Sequence, residues 1–501
     1  MSALGRRDAQ VGQPSGWVER GLLACLLVLA LLVRLWQVGA PPLDSAVGRQ
    51  YHSMFIARVF YLESLPETPA WRLRLARAEA PRLIEPPVVE LAAAGFYRLT
   101  GGESPWFPRL LSIAAWLSGA VFLYLIARRL ALGWGSFAAV AIFLFLPAAI
   151  QLSRNFQPEP LMIALMVASI WALLRYDESP SWGNLLIAAG LGSAAVFVKP
   201  LAVFCIASIF VILSARRLGV LGMLRSLHSY VLAGILVLPG GLWTAHGFLG
   251  AGFLVGQEDG RIEPGLVFTP FFWVGLVRSL GAVVTPAIAV LGIAGYLLLR
   301  RGGRADLLSG WIAGYVLLAF TFSYHTATHH YYNLQAVPLA ALAAAPVAQR
   351  LILHPSWRPL AIAALIVGIL AGGLLGLQQI SLSSTQWRQP SLAAEIGRHV
   401  RHSGSTLAVV DRPIPPRWLF YHGEFGGMWW LAGETLEARG LDPPYLQAEH
   451  ALERILSLRR RYLVVVDRAR IDAVEGLWDR LRERFATIAE APDYVILDLR
   501  E

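Results

Sequence analysis

Cysteine and charge are both scarce in this chain. Two cysteines, Cys25 and Cys205, occur among 501 residues, so no disulfide framework and no cysteine-built zinc site is available. Both lie inside apolar runs, where a free cysteine packs as a small hydrophobe. Charged residues make up 15% of the chain and hydrophobic ones 56%, whereas a soluble domain carries about 25% charge. The shortfall excludes an ordinary soluble protein and indicates an integral membrane one. No P-loop or paired-glycine fingerprint opens a helix, and there is no internal repeat or low-complexity tract. The net charge is +10, but basic and aromatic residues are not interleaved on a polar surface, so a nucleic-acid footprint is absent.

What is present is a series of long apolar runs; the mean hydropathy is +0.54. A membrane span needs about 20 apolar residues. About eleven candidate spans cover 21–39, 107–127, 134–151, 160–175, 183–198, 201–215, 228–246, 279–299, 307–324, 334–349 and 359–378. The polar start, Met1 to Arg20, leads into the first run without a small-residue cleavage site, so that run reads as a retained span. Arg6, Arg7 and Arg20 precede it. Arg128-Arg129, Arg175, Arg216-Arg217, Arg300-Arg301-Arg304 and Arg350 follow alternate spans. Lysine and arginine accumulate on the cytoplasmic side, so the loops after the other spans, and the C-terminal region, are expected outside.

The first outer loop, Pro41 to Phe107, is long. Tyr51 to Leu62 and Val88 to Leu99 carry apolar residues at helical spacing, the pattern of short helices lying in the interface. After Ser381 the charged residues return. Leu407–Val410, Tyr462–Val466 and Tyr494–Leu497 read as buried strands, with helices at 391–402, 446–459 and 472–485. The expected fold is therefore mainly α: a polytopic helical bundle over residues 1–378, then a small α/β domain over 379–501.

Several chemistry-bearing groups share the expected outer side: Asp44, Glu85, Glu159, Lys199 and the histidines His325, His329 and His330. Carboxylates act as general bases or orient hydroxyls. Lysine and arginine hold phosphate, arginine by a planar fork and lysine as a point charge. Both signs beside an apolar groove suit a phosphate-linked lipid. Each residue also has a plainer reading. Asp44 can cap the helix that follows. Glu85 can pair with Arg82, and Glu159 can complement a helix dipole. Lys199 can snorkel from a helix end. The three histidines in six residues leave a divalent metal ion open, although no supporting shell is visible. Asp411 and Asp467 follow apolar strands, where they can face a site or simply end the strand.

Four motifs in order resemble the GT-C membrane glycosyltransferases, in the superfamily of protein O-mannosyltransferases and aminoarabinose lipid A transferases. They are Asp44 with Arg49-Gln50 and Ala57-Arg58; Glu85-Pro86-Pro87; Ser153-Arg154 through Pro158-Glu159; and His330-Tyr331-Tyr332 with Pro338. The resemblance covers roughly residues 20–350. Many relatives carry His-Pro-Phe before Arg-Gln, whereas Ala46-Val47-Gly48 stand here.

The resemblance implies an inverting hexosyl- or pentosyltransferase in the cytoplasmic membrane, working at its outer face. Its donor would be a polyprenyl-phosphate-linked sugar and its acceptor a glycan, lipid or protein hydroxyl. Asp44 would be the general base. Arg49, Lys199 and His330 would hold the donor phosphate. Gln50, Glu85, Glu159, His329, Tyr331 and Tyr332 would orient sugar or acceptor. With lipid phosphate as the leaving group no nucleotide is needed at the site, and a divalent metal ion stays open. Two competing expectations are a lipid or glycan transporter, which commonly shows repeated halves, and an oligosaccharide ligase with a long outer loop such as Gly247–Arg278, which contains Arg261.

Overall fold

The computed structural model describes residues 16–130, 132–256, 262–410, 416–430 and 447–500. Arg6, Arg7, Arg261 and Asp411 lie outside the described residues. The chain divides into two compact units. One comprises the residues up to Val38, Arg82–Val89 and Trp106–Ser381; the other comprises Gly39–Pro81, Glu90–Pro105 and the residues from Leu382 onward.

The first unit is helical. Helix occupies each of the eleven expected runs, but among the described residues only six helices are long and apolar enough to cross a membrane. They are Trp106–Arg129, Glu159–Glu178, Ala202–Arg225, Leu227–Gly250, His330–Leu353 and a run opening at Arg358. Gly133–Phe145, Trp182–Val198 and Asp306–Thr321 are apolar but shorter. Proline accounts for part of the difference. Pro147 separates Gly133–Phe145 from Pro147–Leu152 within the expected 134–151 span. The expected 279–299 span is instead a bent pair, Pro270–Val284 and Pro286–Arg301, turned by 89°. Thr285 at the bend has φ 66° and ψ 143°; the extended ψ is what a following proline favours. Counted as one span, this pair makes seven. It also moves Arg278 from the expected loop onto a helix.

Close approach of helices rests on small residues, as is usual where apolar burial alone cannot drive association. A Cβ built on Gly295 would stand 1.9 Å from the Ala343 carbonyl oxygen, and one on Gly372 2.0 Å from that of Phe145. Three arginines inside this unit are fully buried. Arg34 donates to Ser153 Oγ at 2.7 Å and to the Leu144 carbonyl at 2.8 Å. Arg154 donates to the carbonyls of Trp36 and Gln37, and Arg109 to those of Gln37 and Val38. Two guanidinium groups thus satisfy carbonyls just beyond helix Gly16–Leu35, where cations complement the helix dipole. They fix where the chain leaves its first helix.

The second unit contains Val47–Glu63, the expected interface helix, with Ala70–Glu79, and a five-stranded sheet. The strands are β1 (Thr406–Val409), β2 (Gly427–Trp429), β3 (Tyr462–Val465), β4 (Ala486–Ala491) and β5 (Tyr494–Asp498), in the order β2-β1-β3-β5-β4. β1 runs parallel to β2 and β3, and β5 runs antiparallel to β3 and β4. Alternate residues Leu407, Val409, Leu463, Val465, Val495 and Leu497 face a core shared with helices Ala448–Ser457 and Leu477–Arg484. The intervening residues Ala408, Val464 and Ile496 are buried as well, so these central strands are covered on both faces. Helix Val88–Thr100, the other expected interface helix, is formed as well.

Candidate active site

Within the helical unit, chain-distant polar groups converge on Lys199. Its position follows from local rules. Lys199 caps the C-terminus of helix Trp182–Val198 in an extended conformation, φ −158° and ψ 120°. Pro200 behind it disfavours further helix. The side chain is not drawn out to solvent, as the snorkelling reading would have it, but is only 3% exposed. Its ammonium forms an ion pair with Glu159 and lies 3.3 Å from Glu85 Oε1.

Glu159 opens helix Glu159–Glu178, so the dipole reading holds for its place in the chain. Its carboxylate is nevertheless fully buried. Oxygen Oε1 meets Lys199, while Oε2 has no hydrogen-bond partner among the described residues. Glu85 is held by its neighbourhood: Trp243 Nε1 donates to the Ile84 carbonyl at 3.1 Å. It therefore pairs with Lys199, not with Arg82; Arg82 donates toward the Val255 carbonyl at 3.5 Å.

The late aromatic motif completes the cluster. The Lys199 nitrogen lies 4.9 Å from the Tyr332 ring centroid and 5.4 Å from that of Tyr331, a cation over two electron-rich faces. His325 packs against Tyr332 at 4.8 Å and stacks on His329 at 5.1 Å. Burial, and then the Lys199 charge, push the His329 imidazole below its ordinary range, which favours the neutral ring. His330 is turned elsewhere. Its Nδ1 is 3.1 Å from Ser279 Oγ, which accepts from Asn333 Nδ2 at 2.8 Å. Arg278 is near enough to His330 to act on it electrostatically. No group of three His, Cys, Asp or Glu side chains able to hold a metal ion occurs among the described residues.

The Asp44 loop belongs to the second unit. Asp44 does not cap the helix after it: the N-cap is Ala46, in the left-handed region at φ 41°, with no side-chain cap bond. Instead Gln50 Nε2 donates to Asp44 Oδ1 at 3.3 Å and to the Ser45 carbonyl at 2.8 Å. Gln50 is fully buried and Arg49 half-buried, and Arg49 acts electrostatically on Arg417. The next residue, Tyr51, has its Oη 2.8 Å from His422 Nε2. Arg58 pairs with Glu103 at 2.8 Å and packs 3.4 Å above the Tyr421 ring. Burial, and then Arg58, lower His422 to about 3. The loop carboxylate thus sits in a fixed frame of buried partners.

Sequence reasoning singled out Glu85, Glu159, Lys199, His329, Tyr331 and Tyr332, which the structure brings together. It did not separate His330 from them, and it missed the anchoring roles of Arg34, Arg109 and Arg154. Arg34 carried a signal, a charge inside an apolar run, which is costly unless it is partnered. Gln157, fully buried with neither side-chain polar atom hydrogen-bonded among the described residues, was also passed over.

Comparison with known proteins gives consistent findings. Residues 84–243 match the family model described as dolichyl-phosphate-mannose-protein mannosyltransferase. A search of curated protein sequences finds no match. Among solved structures, ArnT from Cupriavidus metallidurans in the apo state superposes with a TM-score of 0.60 at 13% identity, covering 96% of this chain and 98% of that one. The same protein bound to undecaprenyl phosphate gives 0.55 at 14% identity, with the same coverage. The oligosaccharyltransferase from Archaeoglobus fulgidus, tethered to an acceptor peptide, gives 0.56 at 9% identity, covering 90% of this chain and 69% of that one.

Proposed function

We propose that the chain moves a monosaccharide from a polyprenyl-phosphate-linked donor to an acceptor hydroxyl, a reading supported by the mannosyltransferase family model over residues 84–243 and by the likeness in fold to ArnT and the archaeal oligosaccharyltransferase. The site would lie at the outer face of the cytoplasmic membrane. The observation that carries this reading is the buried Glu159–Lys199–Glu85 cluster under Tyr331 and Tyr332. A charge buried in a membrane protein is expensive and usually functional. Here two carboxylates fix one ammonium beside aromatic rings that suit a sugar or lipid headgroup.

In the proposed reaction, Asp44 accepts the proton of the acceptor hydroxyl. The acceptor oxygen forms a bond to the anomeric carbon, and the bond from that carbon to the phosphate oxygen breaks. The electron pair leaves with the lipid phosphate, and attack opposite it inverts the anomeric centre. Gln50, donating to Asp44 Oδ1, orients the base. Lys199, Arg49 and His330 are each proposed to steady the charge growing on the leaving phosphate, an effect that is large in a water-poor site; His330 would have to turn from Ser279 to do so. Glu85, Glu159, His329, Tyr331 and Tyr332 orient the sugar or acceptor; His329, with its neutral ring favoured, does so by hydrogen bonding. The undecaprenyl phosphate bound by ArnT is of the proposed donor's lipid class.

The test is Asp44→Asn in purified protein supplied with lipid donor and acceptor. Loss of a general base costs about 10²–10⁴-fold, with folding and membrane insertion unchanged. Near-wild-type turnover of the variant would remove Asp44 from the mechanism.

A further inference from the structure

We infer that the sheet-bearing unit holds a saccharide-binding pocket at the carboxyl ends of β1 and β3. β1 and β3 are parallel neighbours. The chain leaves β1 toward β2 through helix Arg417–Gly423, on one side. It leaves β3 toward β4 and β5 through Ala469–Asp472 and Leu477–Arg484, on the other. Such divergence opens a crevice beyond the strand ends, the usual ligand position in α/β sheets.

A cavity of about 760 Å³ lies there, within the range of small-molecule sites and roomy enough for more than one sugar ring. Its floor is Val410 after β1, with Val466 and Asp467 after β3. β5 is antiparallel to β3, so its first residue, Tyr494, and the preceding Asp493 reach the same edge. One face of helix Ser384–His399 forms a wall through Thr385, Arg388, Leu392 and Glu395, spaced three and four residues apart as a helix face requires. Trp418 also lines the pocket.

The lining chemistry selects the ligand. Among the described residues, Glu395, Asp467 and Asp493 outnumber the two arginines beside them, Arg388 at 3.4 Å from Asp493 and Arg470 at 3.8 Å from Asp467. That balance disfavours phosphate or any other anion. Tyr494 Oη donates to Glu395 at 2.7 Å, and the Ala469 N–H donates to Asp467 at 3.1 Å, so both carboxylates are held in place. Carboxylate oxygens accept from several hydroxyls at once, and Trp418 and Tyr494 offer an apolar body with a polar edge. A neutral or amine-bearing oligosaccharide fits this set. Its role as the glycan acceptor of the transfer rests on the function proposed above; the binding itself does not.

The experiment uses the full-length protein in lipid nanodiscs, without donor, on an immobilised panel of neutral, amine-bearing and sulfated oligosaccharides and a lysine-rich peptide. Neutral or amine-bearing glycans should be retained. Asp467→Asn and Glu395→Gln should each weaken retention at least about tenfold, on the scale of one hydrogen bond to a charged group. Trp418→Ala should abolish retention and Trp418→Phe keep it, at unchanged thermal stability. No glycan retained, preference for sulfated glycans or the peptide, or retention indifferent to these substitutions would each overturn the pocket. Glycan retention without any sugar transfer would leave the pocket standing and refute the transfer. Transfer to glycan at wild-type KM in Asp467→Asn would do the reverse.

Discussion

Lys199 is the residue on which the helical unit's polar chemistry depends. It pairs with both Glu159, which is fully buried, and Glu85, whose side chain is 14% exposed. Removing one partner of a buried ion pair typically costs about 3–5 kcal/mol, because the other charge stays buried. Lys199→Met should therefore lower the thermal midpoint sharply, and adding Glu159→Gln should restore part of the loss. Size-exclusion thermostability measurements separate the two; equal midpoints for single and double variants would show that the cluster carries no such coupling. His422 makes a different prediction in the other unit. Its folded-state value of about 3 lies below the ordinary 6.5, so folding favours the neutral ring. That stability is present above about 6.5 and is lost as pH falls from there toward 3. His422→Gln, which stays neutral, should make unfolding less sensitive to acid over that window, as measured by thermal melts at pH 7 and pH 4.5. At this scale the sequence displayed the reactive residues but not their partners. Lys199 lies 40 positions from Glu159, and its contact with Glu85 is more distant still in the chain. Only the folded chain decides that Lys199 is buried between carboxylates and that His330 turns to Ser279.

Among the elements, long apolar periodicity was the most legible feature, since helix occupies every run expected from it. The breaks were less so. Pro286 disfavours helix at Thr285, but proline inside membrane helices is often tolerated, and Pro239 and Pro346 lie within helices of this chain. The 89° bend at Thr285 therefore needed the structure. β1, β3 and β5 were visible as buried apolar runs. β4 was not, because Ala486–Ala491 is mostly exposed, sits at the sheet edge and carries a register irregularity. β2 has only three residues. Helix contacts give the prediction at this scale. Gly295→Val places a side chain against the Ala343 carbonyl. Overpacking of this kind costs about 1–3 kcal/mol, so the thermal midpoint should fall, whereas the same change at Gly190, where a Cβ meets nothing within 4 Å, should cost less.

The whole molecule comprises a helical unit with a buried charge cluster and a second unit that carries the Asp44 loop and a sheet. The proposed sidedness predicts that a reporter fused after Glu501 is active only outside the cytoplasm; activity inside would invert the assigned topology. The central claim is a chemical one, that the chain breaks the bond between sugar and lipid phosphate. The most direct measurement supplies detergent-purified protein with a panel of polyprenyl-phosphate monosaccharides, with and without acceptor, and follows free polyprenyl phosphate. The account predicts release that depends on acceptor and is lost in Asp44→Asn. Movement of intact donor across proteoliposomes, with no polyprenyl phosphate released under any combination, would contradict it and identify a transporter.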